Sequence, residues 1–212
     1  MLSIHTFCVN FIEENTYLLV SNGEATLIDC GASSPDEWQT IVRAIDKLNV
    51  KLTQFWLTHA HFDHVFGAGF VHDTYGISPC LHADDVSLYN SFSQQLSEIA
   101  GISLEATLPP IGATLKEGDM LTLGDTQWQV IHTPGHTLGG VCFYCPTERV
   151  IITGDSLFRR CIGRTDLPGG NEASLVQSLR NKVLTLPDDV IVYPGHGDTT
   201  TILEERTQNI YL

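Results

Sequence analysis

Apolar residues cluster near the start of the chain into three short runs, Leu2–Val9, Thr16–Ser21 and Ala25–Asp29. Runs of this length predict β-strands, and Asn22-Gly23 between the second and third is a hairpin-turn signal. The period then changes. Pro35 follows Ser33-Ser34, and Trp38, Ile41, Val42, Ile45 and Leu48 recur at helical spacing, which predicts a helix with proline in its first turn. The apolar run Phe55–Leu57 comes next, and residues 64–75 and 82–100 read as helical or mixed. Further strands are predicted at Thr114–Lys116, Met120–Leu123, Gln127–His132, Val141–Tyr144 and Val150–Thr153. A helix over Glu172–Leu184, a strand over Val190–Tyr193 and a polar helical tail close the chain. Strands and helices mix in both halves, with no repeat and no linker. One domain over residues 1–212 is expected, of α+β class, with two packed sheets and helices outside.

Four of these apolar segments share one feature. Phe55–Leu57 runs into Thr58-His59-Ala60-His61-Phe62-Asp63-His64, and Gln127–His132 into Thr133-Pro134-Gly135-His136. Val150–Thr153 runs into Gly154-Asp155, and Val190–Tyr193 into Pro194-Gly195-His196-Gly197. Pro and Gly make sharp turns that present the neighbouring side chain, and loops at strand ends carry function. If the four ends lie along one edge, seven ligand-type residues converge there. His59 and His61 are two apart, so an extended backbone points both the same way, toward one ion. Asp63 and His64 are adjacent and project differently, toward a second. Asp155 can bridge the two, His136 completes the first set and His196 the second. Nitrogen and oxygen donors without Cys suit Zn²⁺ first, with Fe²⁺ or Mn²⁺ as alternatives. An H-x-H-x-D-H string arises by accident in a chain of this composition about once in a thousand, and the three further turns make accident implausible.

Charge narrows the substrate. The chain has 11 Lys+Arg against 25 Asp+Glu, a formal charge of −14. Polyanions need clustered basic residues, so nucleic acid and anionic membrane surfaces are excluded as partners. No apolar stretch is long enough to span a bilayer. A small-molecule substrate is expected, an anionic one included, and the oligomeric state is open. The first residues carry no leader pattern, so the chain reads as cytoplasmic, with its six Cys as free thiols. Cys142 and Cys145 form a C-x-x-C, but on a strand they face opposite sides and read as buried small hydrophobes.

These motifs carry a resemblance. From Leu27-Ile28-Asp29-Cys30-Gly31 to the His196 turn, the sequence resembles the metallo-β-lactamase superfamily. Gly154-Asp155-Ser156-Leu157-Phe158, continuing to Gly163-Arg164-Thr165-Asp166, is similar to its small glyoxalase II-like hydrolases. The resemblance implies a four-layer αββα sandwich. It implies one metal site at His59, His61, His136 and Asp155 and a second at Asp63, His64, Asp155 and His196. It implies hydrolysis of a small thioester, hydroxyacylglutathione-like, or of an ester or lactone, by a hydroxide bridging the two ions and oriented by Asp63. Full-length glyoxalase II has a C-terminal helical domain that helps hold glutathione. Only 16 residues follow His196 here, so a domain without that extension is expected and the glutathione preference does not carry over.

Two other classes compete. A persulfide dioxygenase-like oxidoreductase would hold one iron on His59, His136 and Asp155. A non-catalytic metal-binding module would lack ligands, and none is lacking. Near the site, Asp29 is either a carboxylate orienting a ligand His or a turn former before Gly31. Arg159, Arg160 and Arg164 are either a fork for a substrate carboxylate or partners in loop ion pairs. Phe158 reads equally as pocket wall or packing. His5, His72, His82 and His132 read as non-ligands, and Trp38, Trp56 and Trp128 as core.

Overall fold

The computed structural model describes residues 1–104 and 106–212. Its frame is two six-stranded sheets. The first runs in spatial order β1 (Ser3–Val9), β2 (Glu14–Ser21), β3 (Glu24–Ile28), β4 (Lys51–Trp56), β5 (Cys80–His82) and β6 (Ala113–Leu115). The second contains β7 (Met120–Leu123), β8 (Thr126–His132), β9 (Val141–Cys145) and β10 (Val150–Gly154). A small hairpin, β11 (Leu157–Phe158) with β12 (Cys161–Ile162), stands apart. Then β13 (Ile191–Pro194) adds parallel to β10, and β14 (Thr200–Thr201) closes the edge in the order β14-β13-β10-β9-β8-β7.

Alternation along the strands sorts side chains into three apolar layers. Tyr17 and Leu19 of β2 face the second sheet with Trp56, Trp128, Phe143 and Ile152. Leu18, between them, faces the other way, into a cluster with Ile41 and Ile45 of the helix Pro35–Leu48. On the far side Ile131, Cys142 and Ile151 pack on Leu175 and Leu179. Helix, sheet, sheet and helix are therefore stacked in four layers, the αββα arrangement. Cys145 sits in the central layer and Cys142 in the outer one, as strand geometry requires. All six cysteines are free, and no helix among the described residues is long and apolar enough to cross a membrane.

Local signals explain the best-read elements. The helix Pro35–Leu48 opens on a capping box between Ser34 and Glu37 and ends at Asn49 in left-handed conformation. At the Asn22-Gly23 hairpin both residues have positive φ, 50° and 78°. Differences concentrate where burial rather than pattern decides. The run at Phe55–Leu57 begins earlier, at Lys51. Residues 64–75 form helices Phe62–Val65 and Ala68–Tyr75. The stretch 82–100 starts on the end of β5 and continues through short helical turns. The helix at Glu172 is regular to Ser178 and continues in wider turns over Leu179–Val183. Two-residue strands such as β11 and β12 are too short to leave a period.

Trp56 is 1% exposed, with its ring 5.5 Å from Phe143 and 6.3 Å from Trp128 across the sheets. Trp56→Ala is expected to lower unfolding stability by about 3–5 kcal/mol. The measurement is the urea midpoint at unchanged slope; an unmoved midpoint contradicts the packing described.

Candidate metal centre

The four motif-bearing segments do not belong to one sheet. β4 lies in the first, while β8, β10 and β13 lie in the second. Their ends nevertheless meet, because the stacked sheets share one rim. All seven predicted ligand residues converge there. His59 Nε2 and His61 Nδ1 lie 3.2 and 2.8 Å from His136 Nε2. Beside this trio His64 Nε2 is 3.6 Å from Asp63 Oδ2, and His196 Nε2 is 3.2 Å from the same oxygen. Asp155 stands between: Oδ1 is 3.3 Å from His64 Nε2, and Oδ2 is 3.6 Å from His136 Nε2 and 3.7 Å from His196 Nε2.

Four of the five imidazoles have their outward nitrogen tied to an acceptor, which fixes the tautomer and turns a lone pair inward. His64 Nδ1–H donates to Asp29 Oδ2 at 2.9 Å. Thr58 Oγ1–H donates to the same oxygen at 2.7 Å, leaving its own lone pair to accept from His59 Nδ1–H at 3.0 Å. His136 Nδ1–H donates to the Arg164 carbonyl at 2.7 Å, and His196 Nδ1–H to the carbonyls of Ile12 and Glu13 at 3.2 Å each. The inward lone pairs of His59 and His136 then face each other with no proton between them. Among the described residues His64 Nε2 and Asp155 Oδ1 are buried without a hydrogen-bond partner. Such orphaned atoms are costly unless a cation sits among them. The donor set therefore fits metal ions at His59/His61/His136 and at Asp63/His64/His196.

Electrostatics follow from the same packing. Burial, then the neighbouring imidazoles, hold His59 well below its ordinary pKa and take His61 down to about 3. Burial also opposes charge on His64, but Asp155, Asp63 and Asp29 outweigh it and raise that group. For His196 burial is outweighed by Asp63 and Asp155, again upward. Burial would raise Asp155, but His64, His136 and His59 hold it well below the usual carboxylate range.

Asp29 fulfils both readings of it. Its φ of 56° makes the turn, and its two oxygens take the Thr58 backbone and hydroxyl and the His64 ring. The arginines form ion pairs instead of an open fork. Arg159 reaches Asp198 and Glu204, Arg160 reaches Glu204, and Arg164 is forked onto Asp166 at 2.8 and 2.7 Å. Arg164 and Phe158 still line the cavity at the centre. His5 and His72 lie elsewhere. His82 and His132 come close to Asp84, but their rings stack near-parallel at 4.0 Å and His132 Nε2 is spent on the Leu138 carbonyl. Their in-plane lone pairs run side by side instead of meeting at one ion.

Several positioning residues lie outside every motif. Asp85 accepts from the Ala60 N–H, the Thr137 hydroxyl and the Gly139 N–H, joining the His59–His64 loop to the His136 loop. Gln95 holds the Phe62 N–H and the Ala60 carbonyl. Glu14 is fully buried behind His64, taking Thr16 and Gly31 on one oxygen. None of these has a sequence signal, because each holds at least one backbone group far away in the chain.

The profile of the family described as the metallo-beta-lactamase superfamily matches residues 9–196. The hydroxyacylglutathione hydrolase GloC of Haemophilus influenzae is 33% identical over 213 residues, covering 100% of this chain and 98% of that protein. The solved BLEG-1 B3 metallo-beta-lactamase is 34% identical with a TM-score of 0.90, over 100% of this chain and 99% of the other. TTHA1623, solved in a di-iron-bound form, is 32% identical with a TM-score of 0.86, over 98% and 100%.

Asp29→Asn should weaken metal affinity about 10–100-fold, read by competition with a chromophoric chelator, with the circular dichroism spectrum unchanged. Wild-type affinity would mean that Asp29 does not set the His orientation. Because loading displaces protons from His64 and His196, affinity should strengthen as pH rises through the His range. Calorimetry in buffers of different ionisation heat checks this; no proton release contradicts it.

Proposed function

The chain belongs to the metallo-β-lactamase superfamily, and on that premise we propose that it hydrolyses a small thioester of the hydroxyacyl type, with esters and lactones as neighbouring chemistry. The observation that carries this reading is the pair of complete nitrogen and oxygen trios flanking Asp155. Whole-length likeness to a hydroxyacylglutathione hydrolase supports the thioester. Presence of Asp63, His64 and His196 together favours two ions over the single iron of a dioxygenase. Zinc suits the donors, and the di-iron relative supports iron as the alternative. His59, His61, His136 and Asp155 would hold one ion, and Asp63, His64, Asp155 and His196 the other.

Such ions supply Lewis-acid polarisation of a carbonyl and lower the pKa of a water toward ~7. The chain's own residues do the rest. Asp63 lines the cavity of about 380 Å³ at the centre, and His64 and His196 keep its carboxylate ionised against the opposing effect of burial. It accepts the hydrogen bond of the attacking water and sets its direction. Water oxygen bonds to the acyl carbon, the carbon–sulfur bond breaks, and the water's proton goes to the leaving sulfur. Ile12, Phe62, Ile99, Phe158 and Leu167 wall the cavity, excluding bulk water and seating the acyl group. A second reading, cleavage of a β-lactam amide, is favoured by the likeness to BLEG-1.

The test pairs elemental analysis of the purified protein with a panel of lactoyl thioesters, an ester, a lactone and a chromogenic cephalosporin. Thioester turnover is expected to be fastest and to vanish on chelation. Asp155→Ala should lose metal and turnover together. A variant that keeps both, or a stripped protein that stays active, would sink the reading.

A further inference from the structure

A second cavity adjoins the first. It too measures about 380 Å³, and the two share His61, Ile99 and Leu167 as wall. That volume falls within the range of small-ligand sites. Its lining includes the apolar Leu88, Leu138 and Pro168 and the polar Ser87, Ser91 and Gln94. Its charge is of one sign. Asp84, Asp85 and Glu98 line it, and among the described residues no lysine or arginine does. Asp84 is exposed, and the nearby His82 is pushed below its ordinary range by burial and by His132, so it brings no compensating charge. Among the described residues Glu98 accepts from the amide of Gln94 alone, at 2.9 Å. Among the described residues that line the two cavities the one arginine is Arg164, whose guanidinium is already forked onto Asp166.

Resting on the thioesterase reading, we propose that this second chamber receives the thiol arm of the substrate and selects an arm that is neutral or carries an ammonium. It rejects one that carries carboxylates. An acyl carbon at the metal centre places the leaving group beyond His61, against Ser87, Ser91 and Gln94, whose hydroxyls and amide suit the amide groups of a small thiol. A carboxylate in the same place meets Asp84 and Glu98 with no cation to pair it. Glutathione, with two carboxylates, is then a poor arm.

The experiment varies only the thiol. Lactoyl thioesters of glutathione, glutathione diethyl ester, N-acetylcysteamine and thiocholine, whose quaternary ammonium cannot capture the acyl group, are compared by kcat/KM. Two close like charges near the surface predict a preference of about tenfold for the diethyl ester over glutathione. In Asp84→Asn/Glu98→Gln that ratio should collapse toward unity. Binding of the corresponding S-methyl thioethers, which cannot be hydrolysed, should follow the same order. This second readout separates the two claims. If no thioester turns over but the thioethers keep the order, the hydrolase reading fails and the chamber's selectivity stands. If the glutathione compound binds as well as its diester, or if the preference survives in the double variant, charge does not select the arm and the proposal is overturned.

Discussion

The carboxylate of Asp29 is the constraint on which the centre depends. It sits at the end of β3 in a left-handed conformation, 1% exposed, and ties down three groups at once. One oxygen takes the Thr58 N–H where β4 ends, and the other takes the Thr58 hydroxyl and the His64 ring. Through Thr58 it also sets the tautomer of His59. One buried charge thus aims a nitrogen of each proposed ion site. Asp85 and Gln95 do for the backbone what Asp29 does for the rings, holding the loop from Ala60 to Phe62 against the His136 loop. The result is a set of donor atoms arranged before any ion arrives, with the His59 and His136 nitrogens facing each other and the protons on His64 and His196 in the place an ion would take.

Glycine explains why the turns have the sequence they do. A side chain at Gly195 would run into the Asp155 carboxylate and lie 2.8 Å from the His64 ring. Gly135 has φ of 137°, and a side chain there would lie 2.6 Å from the Asn171 carbonyl. The turn at Gly195 is therefore a close approach of backbone to the ligand residues, and the turn at Gly135 a close approach to the start of the helix Glu172–Ser178.

Much of this was legible in the chain. Short apolar runs marked β2, β9 and β10, Pro35 with the helical spacing from Trp38 to Leu48 marked the long helix, and the H-x-H-x-D-H string with three strand-end turns named the residues of the centre. What stayed hidden was of one physical kind. Asp85 and Gln95 act through backbone partners tens of residues away, so no spacing announces them. The expected single edge is a rim shared by two sheets, a relation that only packing defines. The fate of Arg159, Arg160 and Arg164 depended on which acids the fold brings near, and Asp198, Glu204 and Asp166 neutralise them. The overall charge of −14 thus reaches the mouth of the site, where the one nearby guanidinium is already paired.

The central claim is that two ions share Asp155. Anomalous diffraction from crystals of the metal-loaded protein tests it most directly. The account predicts two peaks, one among His59, His61 and His136 and one among Asp63, His64 and His196, each in contact with an oxygen of Asp155. A single peak, or a pair of which one lies away from Asp155, would contradict it.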